Sequence, residues 1–168
     1  DRIDLQWPDS LPVQRRVIEG YLAQLRPGDI LRVRDVERVV FLINDLRGIT
    51  ARFDIVAGAQ PGTASLRVTG QAESRWSGKA DADVNGSRFL GTARLGALVA
   101  ANSLAGLGDA FTASVLASTT GGLGFGLLSY AMPVGSNGWK LGTSLSAVRY
   151  KLDGAEFNGL DIHGDGLT

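Results

Sequence analysis

The chain has no cysteine. That excludes a disulfide framework, a thiolate metal site and a cysteine nucleophile. It also suits a compartment in which stray disulfides would be a hazard. An excess of charge of either sign is missing too, with 17 Lys and Arg against 17 Asp and Glu. The basic field that nucleic acid requires is therefore absent, and nucleic acid is not an expected partner. No stretch offers the roughly 20 consecutive apolar residues of a membrane helix. The chain opens at Asp1 with neither an initiating Met nor an apolar leader. This reads as a processed or excised piece from which a signal peptide could have been lost.

Charge is also missing locally. From Phe89 to Tyr150, only Arg94, Asp109, Lys140 and Arg149 are charged, whereas the first 88 residues carry 25 charges. Glycine is abundant, 23 of 168 residues against an average of about 7%, and it concentrates in the second half. There, segments of about ten residues alternate small and apolar side chains and are broken by Gly, Asn and Ser. Transmembrane β-hairpins have this pattern, with one face to lipid and one to a polar lumen. A soluble antiparallel β-domain alternates in the same way, and the pattern alone admits both.

The first part of the chain has a different texture. Ile3, Leu5 and Trp7 alternate with Arg2, Asp4 and Gln6, which predicts a short half-buried strand. Pro8-Asp9-Ser10 breaks it, with Ser10 as a helix N-cap and Pro12 in the first turn. Val13, Val17, Ile18, Tyr21, Leu22 and Leu25 then fall on one helical face, and Arg26-Pro27-Gly28 stops the helix. A brief extended link is expected over Asp29 to Arg32. A second helix follows from about Val33 to Leu46. Its core stripe is Val36, Val39, Val40 and Ile43, with Phe41 and Leu46 at the margins, and Gly48 stands where a cap glycine belongs. Ile49 to Ala57 reads as a strand with Ile49, Ala51, Phe53 and Ile55 on one face and Thr50, Arg52 and Asp54 on the other. After a loop at 58–62, Thr63 to Thr69 is a further strand with Leu66 and Val68 inward and Ser65 outward. The order is β-α-α-β-β, an α+β domain with two helices on one face of a three-stranded sheet.

Beyond residue 72 all is β. Trp76, Gly78, Ala80, Ala82 and Val84 alternate with Ser77, Lys79, Asp81 and Asp83, as in a lumen wall or any amphipathic surface strand. Asn85-Gly86 is a hairpin turn signal. Strands are expected over Phe89 to Ala101, Ala110 to Ser118, Leu123 to Val134 and Trp139 to Leu152. A loop covers Asn102 to Asp109, and turns fall at 119–122, 135–138 and Asp153-Gly154. Phe157 begins a further strand or loop. Tyr130, Trp139 and Tyr150 stand near strand ends, where an interfacial girdle would put them.

Catalytic constellations are thin. His163 lies near Asp161 and Asp165 and could act as a metal ligand or general base. With no second His in a Gly-rich segment, a surface histidine is the simpler reading. Asp81 and Asp83 share a strand face, a pairing that can do acid–base work, but a solvated or lumen face explains them. Gly121-Gly122-Leu123-Gly124-Phe125-Gly126 lacks the following helix that a phosphate site needs and reads as a turn. No enzyme, metal site or cofactor is expected.

Three motif runs carry a resemblance. Asp83-Val84-Asn85-Gly86-Ser87-Arg88-Phe89-Leu90-Gly91 is similar to the Asp-Asn-x-Gly-Ser-x-x-x-Gly run that opens the barrel of two-partner secretion transporters. These are the haemolysin secretion/activation proteins of the Gram-negative outer membrane. Val84 stands where the family usually has Asn. Asn102-Ser103-Leu104-Ala105-Gly106-Leu107-Gly108-Asp109 resembles the family's Asn-Pro-Leu-Gly-Leu-Gly-Asp loop, with Ser103 for Pro and one extra residue. Tyr130-Ala131-Met132-Pro133-Val134-Gly135, followed by Gly138-Trp139, resembles its Tyr-x-x-Pro-x-Gly-x-x-Gly-Trp hairpin. Upstream, the β-α-α-β-β order resembles a polypeptide-transport-associated (POTRA) domain. Asn44-Asp45-Leu46-Arg47-Gly48-Ile49 and Pro61-Gly62 fall where that domain has its Leu-Pro-Gly-Val and Pro-Gly elements, with Arg47 for the usual Pro.

The resemblance implies a POTRA domain over 1–72, in the periplasm. It implies the first five or six strands of a sixteen-stranded, porin-like transmembrane β-barrel over 73–168. The family's lid helix and first POTRA domain would precede Asp1, and the remaining strands would follow Thr168. The implied partners are outer-membrane lipid and a secreted exoprotein passed through the barrel. In POTRA folds the strand after the second helix is usually an edge. The client would therefore pair with Ile49, Thr50, Ala51, Arg52, Phe53, Asp54 and Ile55 by β-augmentation, with Arg52 and Asp54 either biasing register or simply solvated. Open strand edges would make such a piece oligomerise or bind detergent. Two other readings stand beside this one: a sibling transporter that inserts barrels into the outer membrane, and a soluble β-rich ligand-binding module.

Overall fold

A computed structural model describes residues 2–26, 32–58, 61–152 and 162–168. The expected stop at Pro27-Gly28, most of the link from Asp29, the middle of the 58–62 loop, the turn at Asp153-Gly154 and the segment opening at Phe157 lie outside these residues. In chain order the elements are β1 (Ile3–Gln6), α1 (Arg15–Leu22), α2 (Val33–Asn44), β2 (Ile49–Ala57), β3 (Ala64–Ala72), β4 (Trp76–Asp83), β5 (Arg94–Asn102), β6 (Ala110–Ser118), β7 (Leu123–Val134), β8 (Trp139–Lys151) and β9 (His163–Leu167). They form two compact units. The first holds Asp1–Arg75 with Asn102–Ala110 and Ala131–Leu141, and the second holds Trp76–Ala101, Phe111–Tyr130 and Gly142–Thr168.

The first unit is built on a three-stranded sheet in the order β1-β3-β2. β1 runs parallel to β3, and β2 runs antiparallel to it. The parallel pairing is reached through the two helices, because parallel neighbours need a long crossover. α2 packs on β2, and α1 packs on α2. Leu66 and Val68 of the central strand are fully buried beneath Ile18, Tyr21, Val39, Ile43 and Ile49. Trp7 closes one end of this core. Its indole N–H donates to the Val13 carbonyl at 2.8 Å, which satisfies the one polar atom of a buried ring.

Some expectations fail. α1 does not start on Ser10 and Pro12. Its N-cap is Gln14, without a side-chain cap bond. Residues 8–11 instead turn through a Leu11 N–H to Pro8 carbonyl bond, and the Gln14 N–H is taken by the Gly106 carbonyl at 2.9 Å. Leu46 is buried rather than marginal, and Phe41 is 75% exposed. Ile55 is 61% exposed because it lies on an edge strand. Its partner Leu66, flanked by Ile3 and Ile55 on the two sides, is shielded. Ser65 is buried rather than outward.

The remaining strands form a six-stranded sheet in chain order, β4-β5-β6-β7-β8-β9. In the β4–β5 register Trp76, Gly78, Ala80 and Ala82 sit opposite Ala101, Val99, Ala97 and Leu95, while Ser77, Lys79, Asp81 and Asp83 sit opposite Ala100, Leu98, Gly96 and Arg94. Directly opposite residues share a face, so this pair has one apolar face and one carrying the charges. Asn85-Gly86 does not close a tight hairpin. β5 begins at Arg94 rather than Phe89, and residues 84–93 form a longer connection. No helix of the described residues is long and apolar enough to cross a membrane.

Candidate functional site

The loop after β5 is tied down almost entirely by its own polar groups. Ser103 and Asp109 are both fully buried. The Asp109 carboxylate accepts the N–H groups of Ala105 and Leu107 at 3.1 and 3.3 Å. The Ser103 N–H donates to the Asp109 carbonyl at 2.6 Å. The Ser103 hydroxyl donates to the Pro12 carbonyl at 2.9 Å and accepts the Gly108 N–H at 3.1 Å. Two backbone bonds complete the attachment, Gln14 N–H to Gly106 carbonyl and Arg47 N–H to Gly108 carbonyl. A buried carboxylate is tolerable when it accepts several amide bonds. Gly106, Gly108 and Asp109 of the motif thus make a knotted loop on the segments before α1 and after α2, and Asn102 donates to the Ser74 and Arg75 carbonyls. Gly106 and Gly108 take positive φ, 76° and 81°, as the fold-back requires.

The turn after β7 docks on the helices. The Gln24 side-chain amide donates to the Ser136 carbonyl at 2.7 Å. Lys140 Nζ lies 2.6 Å from an Asp45 carboxylate oxygen. Gly138, at φ 90°, approaches Leu42 so closely that no Cβ would fit without displacing it. Gly135 also has positive φ, and Pro133 stands next to the last residue of β7. Trp139 opens β8 and is largely exposed, and Tyr130 lies inside β7.

The Asp83–Gly91 run is a second tight knot. One Asp83 carboxylate oxygen accepts the Asn85 N–H at 2.9 Å and two Arg94 guanidinium donors at 3.0 and 2.9 Å. Gly86 N–H donates to the Thr92 carbonyl at 2.9 Å. Gly91, at φ 106°, packs on Ser118 and Thr120, where a side chain would collide. Ser87 Oγ accepts the Phe89 N–H at 3.3 Å, and the Arg88 guanidinium sits 4.5 Å above the Phe89 ring.

Ile49 to Ile55 lie on β2, which ends one side of the first unit's sheet. Arg52 and Asp54 are exposed there, and Thr50 donates to Glu73 at 2.5 Å. Asn44, outside the residues expected at this edge, reaches it from the end of α2. Its side-chain amide binds both backbone groups of Ala51, accepting the N–H at 2.7 Å and donating to the carbonyl at 3.2 Å. An amide residue at a helix end facing a strand was the signal available for it.

The residues weighed for catalysis do not gather into a site. Asp83 is committed to Arg94 and Asn85, Asp81 lies 3.7 Å from Lys79, and His163 is in register with Lys151. Asp161 lies outside the described residues. Among the described residues no three His, Asp or Glu side chains cluster as metal ligands.

Residues 62–166 match the family described as haemolysin secretion/activation protein ShlB/FhaC/HecB. The chain is similar to the heme/hemopexin transporter protein HuxB of Haemophilus influenzae (strain 86-028NP), with 28% identity over 130 residues, covering 77% of this chain and 23% of HuxB. Its fold is similar to that of CdiB from Acinetobacter baumannii, with a TM-score of 0.62, 16% identity, and coverage of 99% of this chain and 31% of CdiB. It is also similar to that of BamA from Haemophilus ducreyi lacking POTRA domains 1–3, with a TM-score of 0.59, 13% identity, and coverage of 89% and 27%. At these identities the structural likenesses speak to the fold alone. The chain spans 23–24% of the length of the HuxB relatives it matches. With a family match covering most of its length, the chain belongs to the haemolysin secretion/activation (ShlB/FhaC/HecB) family of two-partner secretion transporters.

Proposed function

We propose that this protein moves a secreted exoprotein across the outer membrane of a Gram-negative cell by two-partner secretion. Residues 1–72 are read as a POTRA domain in the periplasm, which captures the unfolded client. Residues 73–168 are read as strands of a transmembrane β-barrel, with lipid against the apolar face of β4–β5 and the charged face toward the lumen. No chemical step is assigned to the chain. Among the described residues β4 and β9 end the six-stranded sheet, and a sheet edge is a template for further strands. A piece of this length on its own would associate through those edges.

The observation that carries the reading is the open β2 edge in a chain whose residues 62–166 match a secretion family. Such an edge takes an extended, unfolded segment through main-chain hydrogen bonds that any sequence can make. The Asn102–Asp109 loop and the turn after β7 belong, as residues 102–110 and 131–141, to the same compact unit as that edge. The test is a deletion of the gene, with the exoprotein measured in periplasm and culture medium. The client accumulates in the periplasm and returns to the medium on complementation. Unchanged export without the gene contradicts the proposal.

A further inference from the structure

We infer that Asn44 acts as a one-residue pseudo-strand that blocks the start of the β2 edge and fixes the register in which an extended polypeptide pairs there. This rests on the reading of β2 as the capture edge.

In an antiparallel ladder, residues alternate between those exchanging bonds with the partner strand and those whose N–H and C=O face away. Both backbone groups of Ala51 are bound by the Asn44 side chain, so Ala51 faces away from β3. The ladder agrees on either side of it. Gly48, just before β2, accepts the Glu73 N–H, and Gly58, just after it, donates to the Thr63 carbonyl. The outward set is therefore Ile49, Ala51, Phe53, Ile55 and Ala57. A carboxamide has one donor and one acceptor in a plane, as a peptide does. Asn44 offers Ala51 what a neighbouring strand would offer.

The edge before Ala51 is closed as well. Ile49 is buried there, and the Arg47 N–H is bound by Gly108. Phe53, Ile55 and Ala57 remain, each with one N–H and one C=O facing outward. The occupant is thus a short extended segment of an unfolded secreted polypeptide that pairs with Phe53–Ala57 and stops at Asn44. Half-buried Phe53 and exposed Ile55 line one face of that position, and Arg52 and Asp54 the other. An alternation of apolar and polar side chains fits both faces.

The test is residue-resolved amide exchange on the whole chain in detergent, with and without an end-blocked octapeptide of alternating Val and Thr. In the natural protein the peptide slows exchange at Phe53, Ile55 and Ala57 and leaves Ala51 unchanged. Asn44→Ala speeds Ala51 exchange by about tenfold without peptide and lets the peptide slow it. Asn44→Asp retains an acceptor for the Ala51 N–H and keeps it slow, which separates loss of the plug from loss of the fold. Peptide protection of Ala51 in the natural protein, or no change at Ala51 in Asn44→Ala, overturns the plug while leaving edge capture intact. No protection anywhere on β2 in any variant overturns capture and plug together.

Discussion

The Ser103 N–H donates to the carbonyl of Asp109 at 2.6 Å, with Ser103 held at φ 54°. Ser103 is the described non-glycine residue with positive φ. The family loop that this segment resembles has Pro at this place. Proline cannot reach that φ and has no N–H to give. Ser103→Pro is therefore expected to destabilise the first unit by about 2 kcal/mol or more, despite restoring the family residue. Ser103→Gly keeps the backbone and loses only the hydroxyl bridge, at about 1 kcal/mol. Urea unfolding followed by Trp7 fluorescence, in a Trp76→Phe and Trp139→Phe background, ranks the two. Equal midpoints for Ser103→Pro and the parent would refute the account of the loop.

Gly70 lies in β3 directly under the Trp7 indole and the Leu11 side chain, with no room for a Cβ. Gly70→Ala forces the ring outward and costs about 1–3 kcal/mol. A red shift of Trp7 emission accompanies the loss. Gly124→Ala serves as the comparison, because it meets nothing within 4 Å and leaves the midpoint unchanged.

Burial of the Tyr21 phenol, reinforced by the Asp45 carboxylate, raises its pKa above the ordinary value of 10.0. The folded-state pKa exceeds the unfolded one. The stability tied to Tyr21 is therefore complete below the unfolded value and is lost as pH rises through the folded one. Tyr21→Phe removes that share of the alkaline decline. Urea midpoints from pH 8 to 11 diverge between parent and variant only above about 10. Parallel curves would contradict the assignment.

Much of this was legible because periodicity reports burial. Val36, Val39 and Ile43 on α2, and Leu66 and Val68 on β3, are core residues where the pattern placed them. The bounds of β2, β6 and β7 follow from alternation and flanking glycines. What pattern could not show was decided by distant backbone groups. Gln14 rather than Ser10 caps α1 because Gly106, far along the chain, supplies the partner. Asn85-Gly86 does not close a tight turn: the Asn85 N–H goes to Asp83, the Gly86 N–H to the Thr92 carbonyl, and Gly91 packs on Ser118 and Thr120. Ile55 alternates like a core residue, yet an edge position leaves it exposed. The Asn44–Ala51 pairing leaves in the sequence only an amide residue at the end of a helix before a strand, since it joins a helix end to a strand edge.

Under the proposed function, β2 captures the client through its outward-facing backbone. Ile55→Pro tests it most directly. Proline at an outward position removes an N–H that the β2–β3 ladder does not use, so the sheet survives, as edge strands permit. Measured in cells producing the transporter from its native gene, the variant is expected to reach the outer membrane at the parent's level. The exoprotein is expected to accumulate in the periplasm, with its level in the medium reduced by about tenfold or more, as loss of a main-chain bond at the capture edge implies. Export at the parent's rate by correctly inserted Ile55→Pro protein would contradict the account.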